Sequence, residues 1–190
     1  MRVLVLGLLL FFGIHSVGIV APLWRERCVL RIGTLTWRAL YSLASLAGLA
    51  LIILGFARAR LSPLVLYTPP AALHTVARVL MVPVLPLLLA AYLPGRIQSA
   101  ARHPMLVAIK LWALAHLLAN GTAADVLLFG GFLAWAVLDR ISLKRRPVRA
   151  VSGAPLKPWN DLVAVVLGLA LYALLIGGLH LRLFGVSPLA

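Results

Sequence analysis

Apolar residues run over bilayer-length stretches of this 190-residue chain, and the charged residues collect in the short segments between them. Crossing the hydrocarbon core of a bilayer, about 30 Å, takes about 20 apolar helical residues. Five stretches are long enough, and a sixth brings the expected number of helices to six. The first covers about residues 3–23; its apolar run is too long for a cleaved leader and no small-x-small site follows, so it is read as a retained helix. The second covers about residues 37–56, where Tyr41, Ser42, Ser45 and Gly48 recur at three to four and predict a face for close helix–helix contact. Pro83 and Pro86 predict a break in the third, about residues 71–92. The fourth and fifth, about residues 104–118 and 124–138, are short and joined by Asn120-Gly121, which predicts an antiparallel hairpin. The sixth covers about residues 161–184, with Asn160-Asp161 as expected helix caps and Trp159 as an interfacial anchor. The expectation is an all-α integral membrane bundle, one domain over residues 1–190.

Composition agrees and narrows the function. The chain is 63% hydrophobic and 12% charged, with mean hydropathy +1.06, whereas a soluble domain carries about twice that charged fraction. Four acids, Glu26, Asp125, Asp139 and Asp161, stand against 18 Lys plus Arg. A net charge of +14 without an aqueous domain excludes a nucleic-acid-binding protein and instead marks topology beside an anionic lipid bilayer. The first, third and fifth connections hold twelve of the basic residues, Arg149 among them, and the opposite side holds four. That bias predicts a bacterial inner-membrane protein with both termini periplasmic. The single cysteine, Cys28, excludes an internal disulfide.

Candidate chemistry rests on histidines at membrane depth, where an ionisable or metal-binding group is costly. His15 lies well inside the first span, as either an iron or metal ligand or a hydrogen-bond partner of a neighbouring helix. Trp112, His116 and Asn120 recur at i, i+4 and i+8 and form one polar stripe, expected to face the bundle interior. His103, in Arg102-His103-Pro104, falls at the rim of the fourth span, and Lys110 is expected to snorkel or to pair with Asp139, for which a nearby arginine such as Arg102 is the other candidate. His74 and His180 fall near the outer ends of their spans, as solvated rim histidines or a paired metal site. There is no phosphate-binding glycine loop, no HExxH, no CxxC and no acid pair. Histidine ligation of iron in an apolar pocket is the cofactor chemistry this inventory supports best, and rim arginines suit porphyrin propionates.

The segments Leu8 to Ser16, Tyr41-Ser42-Leu43 with Gly48, Arg102 to Met105, Lys110 to Gly121 and Trp135 to Arg140 resemble the NnrU family of bacterial membrane proteins, in order and over nearly the whole chain. The resemblance implies a link to nitrite and nitric oxide reduction in denitrification, with respiratory nitrogen-oxide reductase proteins as candidate partners. The same domain is similar to the plant 15-cis-ζ-carotene isomerase, a haem b membrane enzyme. Its ligand motifs, a first-helix His-Ser and a later Ala-His, correspond to His15 and His116. The plant pattern has a cysteine three residues before the second histidine, where this chain has Ala113. The resemblance thus implies haem b on His15 and His116 supporting a redox or isomerisation reaction, without the cysteine-based ligand switch. The alternative reading is a non-enzymatic membrane assembly or maturation factor for nitrogen-oxide enzymes. A transporter is a third, with only the broken third span in its favour.

Overall fold

A computed structural model describes residues 1–146 and 153–189. Arg149, counted above toward orientation, lies outside the described residues. The chain is an all-α membrane protein. Its helices are α1 (Arg2–Val20), α2 (Pro22–Ile32), α3 (Thr34–Ala59), α4 (Ala71–Met81), α5 (Val84–Ala90), α6 (Arg96–Ala101), α7 (Pro104–Ala119), α8 (Ala123–Ser142), α9 (Asn160–Leu174) and α10 (His180–Phe184). Among the described residues, α1, α3, the α4–α5 pair and the α9–α10 stretch are long and apolar enough to cross a membrane. At 16 residues α7 is apolar but shorter, and α8 has the length at 20 residues but carries Asp125, Asp139 and Arg140.

Packing divides the chain into two compact units, residues 1–67 with 122–131, and residues 68–121 with 132–190. α8 gives its first half to one unit and its second half to the other.

In the first unit α1 and α3 lie antiparallel with their backbones in contact. A Cβ on Gly7 would stand 2.6 Å from Ile52 N, one on Gly48 2.9 Å from Phe11 N, and one on Gly55 would collide with Leu4 N. Lipid tails give apolar helices no hydrophobic reason to associate, so close approach through small residues supplies the dispersion contact instead. The expected small-residue face of the second span is therefore real at Gly48 and extends to Gly55, whereas Ser42 is exposed and off it. The stretch expected as a plain connection after the first span is the helix α2. Pro22 starts it and Gly33 at φ +83 ends it, while Trp24 and Arg25 pack on Trp37 of α3. Thr122 and Asp125 form a reciprocal cap at the start of α8, the carboxylate accepting from the Thr122 N–H at 3.0 Å and hydroxyl at 2.6 Å. The Ala123 N–H donates to Leu64 O at 2.8 Å, which pins the segment after α3 to this cap.

In the second unit α4 and α5 pack on α7, and α9 packs on α5. The expected proline break falls between Met81 and Val84. There the Val82 N–H turns to Val79 O, and the Arg78 carbonyl accepts from the Tyr172 hydroxyl of α9 at 2.8 Å. Gly168 of α9 lies flat against Pro86, where any Cβ would meet the proline ring nitrogen. The expected role of Asn160-Asp161 as caps of their own helix is corrected. Asn160 is buried and donates to Pro94 O at 2.8 Å and Pro155 O at 3.0 Å. Asp161 accepts from the Arg96 and Ile97 N–H groups at 2.8 and 3.1 Å, so it caps α6 instead. That short helix was also expected as plain connection. The last span is not one continuous α-helix: residues Leu175–Leu179 form a π-turn around Gly178, whose φ of +138 no side-chain-bearing residue adopts comfortably.

Candidate functional site

His15 and His116 lie in different units, His15 on α1 and His116 on α7, and each is built the same way. The His15 Nδ1 is 2.7 Å from Phe11 O and the His116 Nδ1 is 2.8 Å from Trp112 O, in both cases the carbonyl one turn earlier. A carbonyl only accepts, so Nδ1 carries the proton and Nε2 carries the lone pair, the tautomer in which an imidazole ligates a metal. The aromatic ring of the same earlier residue packs on each imidazole. Phe11 stacks on His15 at 4.0 Å and 23°, and Trp112 lies 5.3 Å from His116. Tyr41 of α3 approaches His15 edge-on at 5.3 Å, and Phe132 of α8 meets Trp112 edge-on at 5.4 Å. Both histidines are half-buried. The spacing aromatic-x-x-x-His was present twice in the sequence and is the signal that marks Phe11 and Trp112 as orienting groups.

Two members of the polar stripe, His116 and Asn120, bond to carbonyls of α7 itself. Below the His116–Trp112 contact, the Asn120 side chain donates to His116 O at 2.9 Å and ends the helix. A shallow cleft of about 390 Å³ opens in the first unit beside Ser16, lined by Leu8, Phe12, Gly13, Leu127 and Gly131 among others. Its walls are almost wholly apolar, suited to hydrocarbon and not to a charged substrate.

His103, Asp139 and Lys110 belong to the other end of the α7–α8 pair. His103 is the residue before α7 and its carbonyl accepts from the Leu106 and Val107 N–H groups. Arg102 before it has φ +58, and the His103 N–H reaches back to Ala101 O at 2.6 Å, a γ-turn of the rare positive-φ kind. Burial, then Arg140, hold the His103 imidazole below its ordinary 6.5, with Arg102 and Arg146 adding to this and Asp139 opposing it. Asp139 is held by a nearby arginine, as expected, but that arginine is Arg146 and not Arg102, and Lys110 is not the partner; Arg146 bonds the carboxylate directly. Seven residues separate the two, and the turn after α8 brings Arg146 back over the helix end. Lys110 is half-buried within α7.

His74 lies on α4 and His180 on α10, where the His180 Nδ1 is held by Val186 O at 2.7 Å. Among the described residues no group of three or more His, Cys, Asp or Glu side chains could hold a metal ion.

No match was found among curated proteins or among solved structures. The family model described as NnrU protein matches residues 3–188, which is nearly the whole length, and the chain therefore belongs to the NnrU family.

Proposed function

We propose that this protein binds haem b through His15 and His116 and supports a redox or isomerisation reaction on a small or apolar substrate. The observation that carries the reading is the shared construction of the two histidines, each with Nδ1 tethered to the preceding turn and Nε2 left basic. Tethering fixes the ring rotation and raises the basicity of the ligating nitrogen, as partners behind metal ligands generally do. Phe11 and Trp112 exclude water from one side of each ring and favour an apolar macrocycle there. Haem b bound in this way would supply a one-electron iron centre in a low-dielectric environment. The apolar cleft beside Ser16 is the part of this chain suited to receiving the hydrocarbon portion of a substrate. Ala113 has no group that could replace an iron ligand, so a thiolate-linked ligand exchange is not part of the proposal.

The protein is assigned to the bacterial inner membrane with both termini periplasmic, because the connections carrying α2, α6 and the segment after α8 hold the excess of Lys and Arg. Family membership supports a place in nitrite and nitric oxide metabolism, beside respiratory nitrogen-oxide reductase proteins.

Absorbance of the detergent-solubilised protein tests the cofactor. Protein from haem-replete cells should carry a Soret band that His15→Ala or His116→Ala each shifts or abolishes while the protein still inserts. His74→Ala and His180→Ala should leave it unchanged. Absence of the band in the wild type, or its survival in both ligand variants, would sink the assignment and favour the assembly-factor reading.

A further inference from the structure

The cytoplasm-assigned end of the α7–α8 pair gathers three guanidiniums, Arg102, Arg140 and Arg146, and the His103 imidazole around one carboxylate, Asp139. Arg146 is committed to that carboxylate. The other three acids have other places: Asp125 caps α8 at its other end, Asp161 caps α6 and Glu26 lies on α2. With four acids in a chain holding 18 Lys plus Arg, and Arg146 on Asp139, no carboxylate among the described residues is bonded to Arg102 or Arg140, which leaves both able to take an anion from outside. Arg140 is half-buried, so this charge is not simply solvated. The field that opposes a proton on His103 attracts an anion by the same Coulomb interaction.

We propose that Arg102 and Arg140 bind the phosphate of an anionic phospholipid headgroup at the end of the α7–α8 pair. The location selects the source of the phosphate. The cluster begins where the apolar helix α7 begins, so a headgroup here leaves its acyl chains alongside the apolar helix surface, whereas a free phosphate gains nothing from that surface. Guanidiniums match the phosphate oxygens in pairs, and a zwitterionic headgroup brings its own cation into the same field. The site is separate from the histidine chemistry and does not rest on it. From Pro104 to His116 the rise along α7 is about 18 Å at 1.5 Å per residue, beyond the reach of a porphyrin propionate on a His116-bound iron.

Delipidated full-length protein in neutral detergent, titrated with dioleoyl-phosphatidylglycerol and followed by native mass spectrometry, tests this. One phosphatidylglycerol should be retained where dioleoyl-phosphatidylcholine is not, and Arg102→Gln with Arg140→Gln should weaken it about tenfold. Arg140→Lys should weaken it less, and Lys144→Gln with Arg145→Gln, which removes the same charge from exposed positions nearby, should leave it unchanged. Equal retention by the Arg102→Gln/Arg140→Gln protein would overturn the site. So would an equal loss in the Lys144/Arg145 variant, which would mean a diffuse basic surface. Displacement of the lipid by an equimolar amount of glycerol 1-phosphate would overturn the lipid as its ligand. Should the double variant fail to fold, Arg140→Lys and the salt dependence of the wild-type adduct decide: binding indifferent to both refutes the proposal.

Discussion

Asp161 shows how a residue can be read correctly as a cap and assigned to the wrong helix. A carboxylate at the head of an apolar run predicts a local N-cap, because short polar side chains satisfy the first N–H groups of a helix. Here the acceptor is turned toward the N–H groups of Arg96 and Ile97, 65 and 64 residues away, because the residue before α6 is Gly95, which has no side chain to cap it. Sequence adjacency is visible in one dimension and this contact is not. Asp161→Ala should lower the stability of the detergent-solubilised protein by about 1–2 kcal/mol, with Asp161→Asn losing less. Thermal unfolding of the variants checks this; an Ala variant that melts like wild type would mean the cap contributes nothing. The histidines were legible by type and depth, and His15 and His116 were separable from His74 and His180 by position. What the residue pattern could not give was the Nδ1 tether, which depends on rotamers. Which arginine holds Asp139 was missed for a related reason: Arg146 lies beyond the apolar run that set the expected end of the helix, and α8 continues to Ser142.

At the scale of elements, hydropathy located the long helices to within a few residues and proline located the break between α4 and α5. It passed over α2 and α6, because neither is apolar enough to register. Both are set instead by breakers and by tertiary partners, Trp37 for α2 and Asp161 for α6. The π-turn near Gly178 was equally silent, since an apolar run reads the same whether the ladder steps by four or five. The α1–α3 contact was half legible: Gly48 belonged to a visible small-residue pattern, and Gly7 and Gly55 did not. Because Gly55 lies against the backbone of Leu4, a side chain there cannot be accommodated by a rotamer change. Gly55→Ala should therefore separate the pair and cost about 1–3 kcal/mol, while Gly13→Ala, in open space on the partner helix α1, should be nearly neutral. Comparative melting in the same detergent distinguishes them, and equal behaviour would refute the close contact.

For the molecule as a whole, the all-α membrane fold was readable from composition and run length alone, because few other structures bury this much apolar surface with so few charges. Its division into two units that share α8 was not read from run length, although the Gly130-Gly131 pair in mid-helix stands directly before the change at Phe132. The orientation proposed from the basic residues makes a prediction: reporters fused at Arg146 should behave as cytoplasmic and reporters at the C-terminus as periplasmic. The reverse at both sites would invert the protein, and the same side at both would change the number of crossings by one. The contacts of α9 also have a consequence in time. Its Tyr172 covers the Arg78 carbonyl and its Asp161 covers the Ile97 N–H, partners made 94 and 64 residues earlier. At a synthesis rate of about 5–20 residues per second, these groups wait roughly 3 to 20 seconds for their partners to leave the ribosome. During that interval the broken helix is held by water, headgroups or the insertion machinery, and the second unit closes only when the last helix arrives.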